Sequence, residues 1–211
     1  MVKLAKIRKT SLSKSSQAWV RRQLADPYVA KAQAAGYRAR AAFKLLEIDE
    51  RFHILRGRTL VADLGCAPGS WAQITAAKGM LTVGIDLLPC DPLAKVTFIQ
   101  DDFTTAQGLQ KVLHALGGQQ PNLVMADMAA NTVGHKETDG LRTQALTELA
   151  VDFALNHLAK GGHFTTKIFM NGYENTVKKQ LTPHFARVQL FKPKASRSES
   201  RETFLVALGR R

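Results

Sequence analysis

The stretch from Thr59 to Trp71, TLVADLGCAPGSW, constrains this chain more than any other. Leu60 to Leu64 is a short apolar run of the kind a buried parallel strand needs. It breaks into Gly65, Pro68 and Gly69, where the backbone can turn sharply and come close to a ligand. Ser70 then reads as a helix N-cap, with apolar positions following at Trp71 and Ile74. Strand, small-residue turn and helix in that order build a small-molecule site at the carboxyl end of a strand in an open α/β sheet.

The flanking pattern extends this unit in both directions. Asp26 to Phe52 has apolar residues at helical spacing and divides at Gly36 into two helices, with Arg38, Arg40 and Lys44 on or near one side of the second. Beyond the opening stretch, strands are expected over Leu81–Asp86, Val96–Gln100, Asn122–Asp127, His163–Met170, Phe185–Phe191 and Thr203–Leu208. Helices are expected over Thr104–Leu116, Asp139–Leu158 and Asn171–Leu181. Alternating strands and helices followed by a closing hairpin predict an α/β protein with a mostly parallel sheet and one antiparallel strand. Residues 1–24 read as a flexible basic arm, and 25–211 as one domain made of a helical extension (25–58) and a core (59–211).

Charge is distributed unevenly. The chain carries a net +13, but residues 1–58 hold 14 Lys/Arg against 4 Asp/Glu, residues 59–186 hold 9 against 11, and residues 187–211 hold 7 against 2. A nearly neutral core with basic ends suits a polyanionic partner, which favours nucleic acid over a small-molecule substrate. Cys66 and Cys90 form neither a disulfide framework nor a metal-ligand cluster, so no metal is expected. No apolar run approaches the roughly 18 residues of a membrane span. The expected setting is cytoplasmic; a mitochondrial presequence is the minor alternative, because the arm has no acid before Asp26.

Acids recur where strands are expected to end. Asp86 lies 17 residues after Gly69, where a carboxylate can accept both hydroxyl protons of a ribose. Asp102, after the next strand, can accept from an adenine amino group. The turn matches neither G-x-G-x-x-G nor G-x-x-x-x-G-K-[ST], which disfavours a phosphate-bearing ligand and leaves S-adenosylmethionine as the better fit. Asp127, Lys167 and Glu202 are brought to the same sheet edge by strand direction, and with Lys44, which the helix before the core must supply, they form a second set. From pattern alone this set reads equally as an ion-pair network holding that edge or as machinery for taking a proton from a hydroxyl.

Eight ordered motifs, among them DPYV at 26–29, YRARAAFKL at 37–45, DLGCAPGSW at 63–71, QDDF at 100–103, DMA at 127–129, KIF at 167–169 and SESRE at 198–202, resemble the FtsJ-type ribosomal RNA large-subunit 2′-O-methyltransferases from about Ser16 to Arg211. The resemblance implies a Rossmann-like, class I S-adenosylmethionine-dependent methyltransferase fold with a seven-stranded, mostly parallel sheet and an antiparallel last strand. It implies that Gly69, Trp71, Asp86, Asp102 and Asp127 bind the cofactor. It implies that Lys44, Asp127, Lys167 and Glu202 are catalytic, with Lys167 the proton acceptor. The implied partner is ribosomal RNA in the large subunit, met by a monomer with no membrane association. Ser70 stands where a second glycine is usual in the bacterial members, Ala130 replaces a frequent proline, and Asp102 rather than Asp101 is chosen by register with Phe103. The alternatives are methylation of transfer RNA or an mRNA cap, and a non-catalytic ribosome-assembly factor that binds RNA.

Overall fold

The computed structural model describes residues 25–129 and 136–211. The expected basic arm and Ala130 lie outside the described residues. Two helices come first, α1 (Pro27–Ala34) and α2 (Ala42–Phe52). The core then runs β1 (Leu60–Leu64), α3 (Ser70–Ala77), β2 (Leu81–Asp86), β3 (Val96–Gln100), α4 (Ala106–Ala115), β4 (Leu123–Ala126), α5 (Lys136–His157), β5 (His163–Phe169), α6 (Tyr173–Leu181), β6 (Phe185–Phe191) and β7 (Glu202–Arg210). The seven strands form one sheet in the order β3-β2-β1-β4-β5-β7-β6. All neighbours from β3 to β5 pair in parallel, and β7 runs antiparallel to both β5 and β6.

Side-chain alternation assigns the two faces. Val61 on β1, Leu123 and Met125 on β4, and Phe204 and Val206 on β7 pack with Leu45 and Ile48 of α2 and Trp71 and Ile74 of α3. The intervening residues Ala62, Leu64, Val124, Ala126, Leu205 and Ala207 face the opposite layer, with Val112 of α4, Ala154 of α5 and Val177 of α6. A two-residue period with both sets buried is what a sheet covered on both sides requires. Phe164, Phe185 and Phe204 are each fully buried, which stabilises the fold by roughly 1.5–3 kcal/mol per ring.

Several boundaries differ from the sequence expectation. Ser70 is the first helical residue, not the cap; Gly69, at φ 96°, is the N-cap of α3 and Ser70 is buried. A left-handed cap position favours glycine, so the turn places its cap one residue earlier than the hydroxyl suggests. Arg38 and Arg40 are not on a helix: Gly36 turns at φ 72°, and α2 does not begin until Ala42. α4 starts at Ala106, with the Thr105 hydroxyl accepting from Gly108 N. β7 extends to Arg210 because Arg210 still pairs with Phe185.

The sheet order reverses between β1 and β4. A crevice opens beyond the carboxyl ends of strands at such a point. Asp63, Asp86, Asp102 and Asp127 all lie at or just past these ends.

Candidate active site

A cleft of about 380 Å³ occupies this crevice, lined by Gly65, Asp86, Leu88, Asp102, Phe103 and Asp127 among others. Gly65 has φ 76°, and a β-carbon there would lie 2.3 Å from Met128 Cγ. The floor of the cleft therefore depends on a residue with no side chain. Asp86 accepts from Ala67 N at 3.0 Å through Oδ2 and from Leu88 N at 2.9 Å through Oδ1. It ties the β1 turn to the β2 loop and keeps a second lone pair on each oxygen. Asp102 Oδ1 accepts from the backbone and hydroxyl of Thr104. Asp101 also lines the cleft, but its Oδ2 is paired with Lys111. Ile85, Leu87, Leu88 and Phe103 supply apolar walls between these acids.

Gly69 and Trp71 occupy different ground. Neither lines the cleft. A β-carbon on Gly69 would meet Arg38 Nη1 at 2.5 Å and Phe98 Cζ at 3.0 Å. The Trp71 indole is buried in the core, donates to Ala41 O at 2.7 Å and packs 5.8 Å from the Phe204 ring. It sits beneath the start of α2, the helix that carries Lys44.

Lys44, Asp127, Lys167 and Glu202 meet at one end of the cleft. Lys167 on β5 is 6% exposed, and its Nζ donates to Asp127 O at 2.9 Å and to Asp127 Oδ1 at 3.0 Å. Lys44 Nζ lies 3.4 Å from Asp127 Oδ2, 2.8 Å from Glu202 Oε1, and 5.5 Å above the Phe204 ring. Strand register explains the meeting: Lys167 pairs with Phe204 and Phe169 with Glu202, while Asp127 directly follows the Ala126–Thr166 pair. Burial opposes the Asp127 charge, but Lys167 and then Lys44 outweigh it and hold its carboxyl below the ordinary carboxylate range. Burial likewise opposes the Lys44 charge, and Asp127 and Glu202 outweigh it, holding the ammonium above its usual value. The arrangement alternates cation and anion from Lys167 to Glu202. The remaining position on Lys167 Nζ has no partner among the described residues.

Three participants, Arg38, Glu47 and Ser196, escaped the sequence reading, and a fourth, Asp63, is read there only as one more acid at a strand end. Arg38 donates from Nη1 to Pro68 O and from Nη2 to Pro92 O, both at 3.1 Å, and lies over the Phe98 ring. It joins the loops after β1 and β2 from outside the sheet. Glu47 and Ser196 belong to a network around the 192–201 loop. Asp63 is 1% exposed with Oδ2 unpartnered, and burial, then Asp127 and Asp86, push its carboxyl up to about 8. Arg38 is one cation among many in the sequence, and only the third dimension shows that two carbonyls occupy it. Asp63 did carry a signal, an acid inside an apolar strand.

The chain matches the FtsJ-like methyltransferase family over residues 37–210. It is 53% identical over 196 residues to a ribosomal RNA large subunit methyltransferase E of Caulobacter vibrioides, covering 92% of this chain and 86% of that protein. It is 48% identical to the protein of the same name in Hyphomonas neptunium, covering 96% and 87%. Among solved structures, a Plasmodium falciparum protein described as a ribosomal RNA methyltransferase superposes with a TM-score of 0.73 at 29% identity, covering 82% of this chain and 98% of that one. A family match across most of the chain and relatives near half identity along nearly their whole length lead to one conclusion: the protein belongs to the FtsJ-like methyltransferase family.

Proposed function

We propose that the protein transfers a methyl group from S-adenosylmethionine to the ribose 2′-hydroxyl of a uridine in 23S-type RNA of the large ribosomal subunit, in the cytoplasm, as part of subunit maturation. The observation that carries this reading is the Lys167–Asp127–Lys44–Glu202 chain at the end of a cleft whose other acids suit a nucleoside. The named activity of relatives near 50% identity supports the RNA substrate.

The cleft fits the cofactor. Asp86 retains lone pairs for ribose hydroxyls, Asp102 has Oδ2 for an adenine amino group, and Leu88 and Phe103 offer apolar surface to a purine. Gly69 and Trp71 do not line the cleft, so their part is to shape the turn after β1 and the start of α2 rather than to touch the cofactor. S-adenosylmethionine supplies an electrophilic methyl sulfonium when bound. The protein's own work is to position the hydroxyl and receive its proton. Lys167 is the acceptor in its neutral amine form: with two N–H groups held by Asp127, the lone pair in the remaining position on Nζ takes the hydroxyl proton as the hydroxyl oxygen takes the methyl group. Asp127 fixes that nitrogen and borders the cleft. Lys44 stays a cation, shares Asp127 and holds Glu202, whose carboxylate orients the ribose.

Lys167→Ala is expected to abolish methyl transfer while S-adenosylmethionine binding, measured by calorimetry, survives. Equal loss of both would remove Lys167 as the proton acceptor. Mapping 2′-O-methyl marks in cellular RNA with and without the protein tests the substrate; a missing mark in transfer RNA instead would reassign it.

A further inference from the structure

Glu202 is held through one oxygen. Its Oε1 receives Lys44 Nζ at 2.8 Å and the Ser196 hydroxyl at 2.8 Å, while among the described residues no donor reaches Oε2. Ser196 is buried and belongs to the connection between β6 and β7, the basic, serine-rich stretch that in sequence looks made for RNA. In the structure Pro193, Ala195 and Ser196 of that stretch are buried, while Lys192, Lys194 and Arg201 stay exposed. Lys192 Nζ donates to Ser198 O and Ser200 O, closing the neck of the loop.

The loop is fastened to the helical extension, far away in sequence. Glu47 of α2 accepts from Lys194 N through Oε2 and from Ala195 N at 3.1 Å through Oε1. Arg40 Nη2 donates to Ala195 O. Both backbone polar groups of the fully buried Ala195 are thus taken by α2 and the turn before it. Asp26 Oδ2, buried, then joins Arg40 Nη1 at 2.8 Å to Arg197 Nε at 3.4 Å. Ser196 lies between the bracketed Ala195 and the paired Arg197, so its hydroxyl has little freedom.

We infer that Glu47, Arg40 and Ser196 are positioning residues for the methyl-transfer site: the bracket on Ala195 sets Ser196, and Ser196 with Lys44 fixes one Glu202 oxygen so that the other is free for the substrate ribose. This rests on the role given to Glu202 above. It also recasts two cations of the extension and loop, Arg40 and Arg197, as internal struts rather than RNA contacts. A side chain that must hold a hydroxyl within a fraction of an ångström is sensitive to such support.

The test is single-turnover methyl transfer by the full chain to undermethylated large subunits, at saturating S-adenosylmethionine. Ser196→Ala is expected to slow transfer roughly tenfold or more, with the dissociation constants for cofactor and subunit unchanged and Ser196→Thr restoring the rate. In a Glu202→Ala background, Ser196→Ala should add nothing. Glu47→Ala should reproduce the slowing; if that variant does not fold, Ser196 carries the test alone. Slow transfer by Glu202→Ala beside a wild-type rate for Ser196→Ala, or additive losses in the double variant, would overturn this inference and leave the role of Glu202 standing. A wild-type rate for Glu202→Ala would overturn both.

Discussion

Asp63 and Asp127 end neighbouring strands, yet their surroundings move them to opposite sides of the ordinary carboxylate range. Asp127 has two ammonium groups within 3.4 Å. Asp63 has burial, no donor on Oδ2, and two more carboxylates nearby. The signs matter for stability. The folded chain keeps a proton on Asp63 up to about pH 8, whereas the unfolded chain releases it near its ordinary value. This group therefore lowers stability progressively as pH rises between those limits, by roughly 1.4 kcal/mol per pH unit. Asp63→Asn is expected to raise stability at pH 7 to 8 and flatten the decline above pH 5, as measured by urea denaturation; parallel curves would show that Asp63 is ionised. Asp127 acts in reverse: its contribution is present above the unfolded carboxylate value and is lost as pH falls through its lower folded one. Gly65→Ala belongs to the same scale. Its β-carbon meets Met128 and its φ is 76°, so thermal or urea unfolding should register a loss of about 1–3 kcal/mol.

At the level of elements, periodicity and punctuation made β2, β3 and β6 legible in sequence to the residue, because each is a short apolar or alternating run bounded by Gly, Pro or Asp. The edge that gathers Lys44, Asp127, Lys167 and Glu202 was also legible, since strand direction alone sends Asp127, Lys167 and the start of β7 there. The bracket around Ala195 was not, because nothing local in Glu47 or Arg40 announces a partner about 150 residues away. Arg38 shows the same limit. Its guanidinium reads as surface charge until Pro68 O and Pro92 O are seen to occupy it. Those carbonyls belong to the turn and loop that Asp86 also ties. Arg38→Ala is expected to weaken S-adenosylmethionine binding about tenfold, with little change in RNA affinity. Calorimetry for the cofactor and filter binding for RNA separate the two, and the reverse pattern would return Arg38 to the RNA face.

For the whole molecule, the net charge of +13 overstates the charge free to meet RNA. Arg40, Lys44, Lys167 and Arg197 are paired with carbonyls or carboxylates in buried or half-buried settings, and Arg38 and the exposed Lys192 each hold two backbone carbonyls. Lys194 and Arg201 stay exposed. Replacing cations in residues 1–24 is expected to weaken RNA binding and reduce the slope of log affinity against log salt by about 0.9 for each phosphate left without its cation. Lys192→Ala should leave that slope unchanged. A slope insensitive to the first 24 residues would return the arm to a role in solubility.

The placement of β7 between β5 and β6 has a consequence for how the protein is made. Among the described residues β6 pairs with β7 alone, so its backbone has no strand partner until β7 follows it from the ribosome. β5 waits with one edge open for the same segment. Glu202 is the first residue of that segment. A nascent chain can therefore assemble the end of its cleft that holds Asp86 and Asp102 while β7 is still being made, and it gains Glu202 beside Lys44 only as the sheet is completed.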